Sequence, residues 1–448
     1  MVSKAPGLEK LNFKIINKGL RSEEMVKLIR QAQEKYIYWD KFKHLPMPKG
    51  FTPEEAWLNL KLTRFTNREK IPVMSVDGKP FFFNITKKMF QRLSVIDSNT
   101  SGFISTEFGR PTESQKSQLI ISGLSEEAIA SSQIEGANTS RKVAKEMILT
   151  NRKPKTHGEQ MIINNYKVMQ MLDDLKDLNL SLGMLLDIQK QITIGTLENE
   201  DEAGRLRTDE DRIVVSDSLT GEVVFIPPSE KKLKKELKRL INYANKKESD
   251  AEFLHPVIKA SILHFWLAYL HPFVDGNGRT ARAIFYWYLL KHNYWLFQYL
   301  SVSRIIKNSR QQYDRAFLYS ELDDNDFTYF LSYNLKAVVL AIKDFLKHYR
   351  KKLKEEAFAE QIKKRVSDLN GRQILLLRYW NDNPNKTVDI NKHRVKHGVA
   401  YQTARTDLLG LVEKGYCTQW EIKGEKKSKY EYVSNRVAVR SLFKDLNR

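Results

Sequence analysis

The chain has 448 residues, 41% hydrophobic and 29% charged, and its 75 lysines and arginines outnumber 54 aspartates and glutamates for a net charge of +21. That length suits two or three domains with real cores, and the basic balance favours anionic partners (nucleic acid, a phosphorylated ligand or an acidic protein) without choosing among them. The single cysteine, Cys417, excludes an internal disulfide framework and a multi-cysteine zinc site.

The opening MVSKAPGLEK holds no apolar signal core. The most apolar stretch, near 256–270, is interrupted by Lys259 and His264 and is short for a membrane span. It reads as a buried helix, and the expected compartment is the cytoplasm, with no membrane partner. Residues 1–114 mix helical and strand signals. Within them, 70–85 (KIPVMSVDGKPFFFNI) reads as two short strands around an Asp77-Gly78 turn, with a structural role and no chemistry.

From 115 to 340 the pattern is mostly helical, with apolar residues at three- and four-residue spacing through 160–195, 231–244, 253–270 and 279–292. Near its start, SEEAIASSQIEGA (125–137) places Ser131 and Glu135 four apart on one helical face, with Gly136 suited to the helix end. Residues 204–228 form a non-helical island. The clusters IVV and VVFI, separated by a polar segment ending in Thr220-Gly221, read as a β-hairpin closed by Pro227-Pro228.

The most informative stretch is His271 to Arg282, HPFVDGNGRTAR. Pro272 stops the preceding helix. Gly276 and Gly278 flank Asn277, allowing a sharp turn with exposed N–H groups that feeds a new helix N-terminus, a natural anion site. Arg279 and Arg282 share one face of the first turn and suit a polyphosphate. Asp275 could hold Mg²⁺ bridging phosphates. A neutral His271 at the loop's other edge could take a proton from an attacking hydroxyl. Each feature alone has an ordinary reading: a helix stop, a turn, a solvated face. Within twelve residues they read together as a phosphate-transfer site.

This stretch resembles the signature of Fic proteins, HxFx(D/E)GNGRxxR, at every specified position. The resemblance implies a mainly α fold: a Fic helical core with a β-hairpin flap, here with a small N-terminal α/β extension and a C-terminal winged helix. It implies AMP transfer from ATP, with Mg²⁺, to a Ser, Thr or Tyr hydroxyl of a target protein. His271 would be the base, Phe273 would fix the loop, and Asp275 would bind the metal. Gly276, Asn277 and Gly278 would form the anion hole, and Arg279 and Arg282 would hold the β- and γ-phosphates. A kinase-like branch carries lysine at the place of Gly276, so glycine favours AMP transfer.

Ser131, Glu135 and Gly136 resemble the family's inhibitory motif, (S/T)xxxE(G/N). Glu135 would pair with Arg282 and occupy the γ-phosphate position; in some relatives the same glutamate directs AMP removal. The island resembles the family's flap, in which Arg207, Val214, Val215 and Phe225 are expected to meet an extended target segment. RQQYDRAF (310–317) resembles the adenine-pocket stretch, where Tyr313 matches and Asp314 replaces a second tyrosine. Self-modification and a homodimer are further expectations.

Residues 341–370 are charged and read as a helical linker. Residues 371–448 read as a winged-helix-like domain, in which 371–434 show helix, short helix, helix and two strands, near 416–422 and 429–433 around Lys423-Gly424. Gln402, Thr403, Arg405 and Thr406 would lie where recognition helices read bases. Lys423, Lys426, Lys427 and Lys429 would decorate the wing and could contact phosphates, while winged helices also mediate protein contacts, so protein and DNA stand as equal readings of this module. A DNA-binding regulator with a nucleotide-sensing core is the competing class. His271 argues against it, since a sensor needs no base.

Overall fold

A computed structural model of the chain describes residues 2–10, 13–100, 113–216, 221–247, 253–364, 366, 368–422 and 429–446. The fold is mainly helical. The chain divides into two compact units, one of residues 1–104, 119–145 and 153–343, the other of 105–118, 146–152 and 344–448.

The first unit is built around two packed helices, Pro256–Leu270 and Asn277–Lys291. Both are buried on nearly every face, as expected for helices apolar all round. Pro256 stands at the first helical position, and the His255 ring accepts the Val257 N–H at 3.2 Å. Helices His157–Leu175 and Leu182–Thr193 pack against the second of the pair, and Glu230–Asn245 against the first. The single periodic run seen in sequence over 160–195 is thus two helices. Ser181 splits it by accepting the Met184 N–H and starting a new helix.

The N-terminal part adds the two expected strands, Glu69–Met74 and Pro80–Phe83, paired antiparallel with Glu69 opposite Phe83. Gly78 sits at φ 77°, which its turn requires. Helix Pro53–Thr66 begins with a reciprocal capping box between Thr52 and Glu55. From it, Lys61 pairs with buried Asp323 at 2.8 Å and with Asp324, while Arg64 donates to the Tyr329 hydroxyl at 2.6 Å.

Of residues 341–370, read as a helical linker, 341–363 are the C-terminal part of one helix, Thr328–Lys363. The second unit contains helix Gly371–Asp382, a short strand Val388–Asp389, helices Ile390–His397 and Tyr401–Glu413, strands Cys417–Ile422 and Lys429–Ser434, and helix Arg436–Leu446. Its sheet runs antiparallel, with 429–434 in the centre. Trp380, Leu377, Leu408 and Tyr432 lie in its core. The strand at 388–389 and the last helix were not expected. Lys423, Gly424, Lys426 and Lys427 lie outside the described residues. Among the described residues no helix is long and apolar enough to cross a membrane.

Lys61→Met would leave Asp323 as a buried carboxylate short of a partner. The expected loss is about 3 kcal/mol of unfolding stability, read from the urea midpoint by tryptophan fluorescence.

Candidate active site

The turn between the central helices starts at His271, which takes a left-handed backbone (φ 47°). Its N–H closes the last helical turn on the Leu267 carbonyl at 3.1 Å. Pro272 prevents continuation, and Phe273, wholly buried, anchors the loop. The Asn277 side chain clamps the turn from both sides. Its Oδ1 accepts the Phe273 N–H at 2.9 Å, and its Nδ2 donates to the Phe273 carbonyl at 2.8 Å. Asn277, expected in an anion hole, therefore spends its side chain on the loop. Gly276 needs its φ of 84°, and a Cβ there would stand 3.0 Å from Thr193 Cγ2.

The two arginines face different partners. Arg279 is wholly buried, donating to the Ile192 carbonyl at 3.2 Å and to Asp275 Oδ2 at 2.8 Å. The expected phosphate ligand and the expected metal ligand are thus paired with each other. The Asp275 side chain is about half exposed (47%). Arg282 turns to the other side. Its Nε donates to Ser131 Oγ at 2.8 Å, and its Nη2 to the Ser131 carbonyl at 3.0 Å and to Glu135 Oε1 at 2.9 Å. The carboxylate lies against Gly278, where a Cβ would come 2.3 Å from Glu135 Oε1. An anionic group therefore sits at the first turn of helix Asn277–Lys291, where the dipole and free N–H groups favour it. Burial pushes the Glu135 carboxyl up, but the Arg282, Arg279 and Arg310 guanidiniums outweigh it and hold it below its ordinary value.

Helix Glu113–Ile134 brings Ser131 and Glu135 to this place. Gly136, at φ 95°, ends it, and the Ala137 N–H returns to the Ser132 carbonyl at 3.0 Å. Ser132 Oγ donates to the Met161 carbonyl at 3.2 Å, and Asn165 Nδ2 to the Ala128 carbonyl at 3.3 Å. Two turns earlier, buried Glu127 accepts from Tyr286 Oη at 2.9 Å, Ser301 Oγ at 3.1 Å, the Ser303 N–H at 2.9 Å and the Ser303 hydroxyl. Glu127, Arg310 and Gln189 escaped the sequence reading. Arg310 donates to the Ile134 carbonyl at 2.7 Å, capping the helix end, and pairs with Asp314. Gln189 donates to the Asp275 carbonyl at 3.1 Å and accepts the Gly204 N–H at 2.6 Å.

The His271 ring approaches the Ala268 carbonyl with Nδ1 at 3.4 Å. A carbonyl only accepts, so this contact needs the proton on Nδ1 and leaves Nε2 as the basic atom. Burial, with Arg207 adding to it, moves the ring's pKa below the ordinary histidine value against Glu135 and Asp275, which keeps the ring neutral at pH 7.

Two expected contacts are placed differently. Tyr313, expected against adenine, is buried. Its hydroxyl meets His264 Nε2 at 3.0 Å, and its ring packs on Phe317, Phe330 and Tyr333. Arg207, expected to meet a target, is only 4% exposed and points inward. The hairpin itself is short, Val215–Ser216 against Val223–Phe225, and residues 217–220 lie outside the described residues. Val214, Val223, Val224 and Ile226 are exposed. Val215 is half-buried, and Phe225 leans on the Tyr269 ring at 4.8 Å. Among the described residues no group of three or more histidines, cysteines or acids could hold a metal alone.

Arg310→Ala removes the charged donor from the helix end that carries Glu135. The expected loss is about 1.4 kcal/mol, or roughly tenfold faster amide exchange at 135–137 in native-state hydrogen exchange.

Residues 179–289 match the Fic/DOC family. They include the turn and the hairpin, whereas Ser131, Glu135, Gly136 and Tyr313 lie outside the match. A stretch of 83 residues is 40% identical to protein adenylyltransferase Fic of Nematostella vectensis, spanning 18% of this chain and 17% of that protein. Another of 69 residues is 39% identical to the Drosophila mojavensis protein of the same name, covering 15% and 13%. The chain thus spans less than a fifth of the length of these curated relatives. In fold, it is similar to a solved structure of Fic-1 from C. elegans, with a TM-score of 0.50 at 17% identity over 74% of this chain and 86% of that one. The family match contains the turn from His271 to Arg282, and over residues 179–289 the chain is similar to the Fic/DOC family.

Proposed function

We propose that this protein transfers AMP from ATP to a hydroxyl side chain of a target protein, and that Glu135 restrains the reaction. The observation that carries the reading is one turn with a half-buried imidazole at one edge and two buried guanidiniums at the other. Phosphoryl-type transfer needs little covalent work from a protein; it needs positioning and charge neutralisation. The turn has groups for both. The relatives named as protein adenylyltransferases support the same class of reaction.

In the proposed step, the target hydroxyl oxygen attacks the α-phosphorus while the bond from that phosphorus to the bridging oxygen breaks, releasing pyrophosphate. His271 Nε2 takes the hydroxyl proton. The N–H groups at the start of helix Asn277–Lys291 donate to phosphate oxygens, and Arg282 takes the terminal phosphate once Glu135 leaves it. A single half-exposed carboxylate, Asp275, suits magnesium, which is commonly held by one or two carboxylates together with substrate phosphates. The ion would supply charge neutralisation between phosphates. Arg279 would turn from Asp275 toward phosphate in the loaded site. The exposed apolar edge of the hairpin would pair with an extended target segment, and a neighbouring copy of the chain would be one such target.

In the second unit, Gln402, Arg405 and Thr406 are exposed near the start of helix Tyr401–Glu413. We read this unit as winged-helix-like, and that exposed turn favours a DNA contact as a second role.

Two variants test the main reading. Glu135→Gly should raise labelling of protein from ATP carrying the label on its α-phosphate by about 100-fold, the order expected when a misplaced reacting group is freed to align. Adding His271→Ala should lower it by about 100-fold or more while ATP affinity, measured by calorimetry, holds. Labelling that survives the loss of His271 would remove the imidazole from its role.

A further inference from the structure

Arg207 ties both ends of the hairpin to the turn that carries His271. Its Nε donates to the His271 carbonyl at 2.7 Å. Its Nη2 donates to the Pro228 carbonyl at 2.6 Å and the Leu270 carbonyl at 3.4 Å. Its own N–H donates to the Pro272 carbonyl at 2.9 Å. One buried side chain therefore bridges three carbonyls: two at the end of helix Pro256–Leu270 and one where the hairpin leads into helix Glu230–Asn245. A second tie runs through Gln189, from Gly204 just before this segment to the Asp275 carbonyl.

The geometry has a specific consequence for the imidazole. His271 holds a left-handed backbone that a non-glycine residue adopts only under constraint. Its carbonyl direction defines that conformation, and the Arg207 guanidinium fixes that carbonyl. A planar fork with several donors can hold carbonyls from different segments at once; an ammonium holds them less rigidly. Most of the hairpin's exposed apolar residues lie between the two points that Arg207 fixes, the Arg207–Pro272 bond and the Pro228 carbonyl.

We propose that Arg207 is the positioning residue of the transfer reaction, setting the His271 imidazole and the hairpin in one register so that a hydroxyl held by the hairpin meets the base. This inference rests on the AMP-transfer reading. It assigns Arg207 a role inside the protein in place of a contact with the target. The groups whose charges act on His271 are Arg207, Glu135 and Asp275, with burial the largest influence. Arg207 and burial disfavour the imidazolium, and the two carboxylates favour it. Loss of the Arg207 charge therefore moves the ring's titration upward.

The test uses the full-length chain with Glu135→Gly as parent, comparing Arg207→Gln and Arg207→Lys. Gln removes both charge and fork; Lys keeps the charge alone. Arg207→Gln is expected to lower kcat about 100-fold, the scale of an ångström's misplacement, with Kd for ATP held within about twofold. Its acid limb in the pH–rate profile should move to higher pH. Arg207→Lys should recover part of kcat and restore the limb. Unchanged kcat in both variants would overturn the proposal. So would a loss matched by an equal loss of ATP affinity with an unmoved acid limb. If Arg207→Gln does not fold, as judged by thermal melting, Arg207→Lys decides through the same split between kcat and ATP affinity. If the parent itself transfers nothing, the AMP-transfer reading fails, and NMR titration of the His271 ring still tests the tie. An upward shift in Arg207→Gln supports it, and none overturns it.

Discussion

Buried positive charge is the constraint around which this site is built. Two guanidiniums enter the protein at the first turn of helix Asn277–Lys291, and neither can remain there without an anion. Arg279 finds Asp275 and a main-chain carbonyl; Arg282 finds Glu135 and Ser131. Much of the surrounding architecture serves these pairs. Helix Glu113–Ile134 is docked by Ser132, Asn165 and Glu127, and its end is capped by Arg310. Gly278 has no side chain where the carboxylate must lie. The turn is clamped by Asn277 so that its backbone stays open to an anion.

Helix Glu113–Ile134 has anchors besides the Arg282 contacts at its end. Glu127 and its four donors lie two turns from Glu135, and burial raises the Glu127 carboxyl's pKa against the Ser303 and Tyr286 hydrogen bonds. The helix is therefore held in place by groups that do not touch the anion site. Removing the Glu135 carboxylate leaves those anchors intact, so the rest of the helix keeps its seat while the charge at its end is lost.

Much of the site was legible because its residues are consecutive. From His271 to Arg282, chain order and spatial order coincide, and a glycine-rich turn before a helix has a narrow set of meanings. Glu135 was legible through spacing, since Ser131 and Glu135 share a helical face. Direction was harder to read. Arg207 lies in a segment without helical or strand period, so its spacing does not show whether the side chain turns outward or inward. Tyr313 sits on a helix face where an aromatic ring that stacks on a ligand and one that fills the core look alike. Gln189 is a polar residue in an amphipathic helix, and its two bonds exist only after the turn at 271–276 is folded against it. In the second unit, strand Val388–Asp389 is too short to show alternation.

The pairing of Arg282 with Glu135 makes the resting protein its own counter-ion. A chain that loses this carboxylate keeps a buried guanidinium bonded to Ser131, with its charge less well balanced. Under the proposed reading, any polyphosphate of suitable shape would relieve the charge, whether or not it can donate a nucleotide. On that reading, release of the restraint would trade a silent site for a promiscuous one, and fidelity to the nucleotide would have to come from the α-phosphate geometry at His271, not from how tightly the terminal phosphate is held.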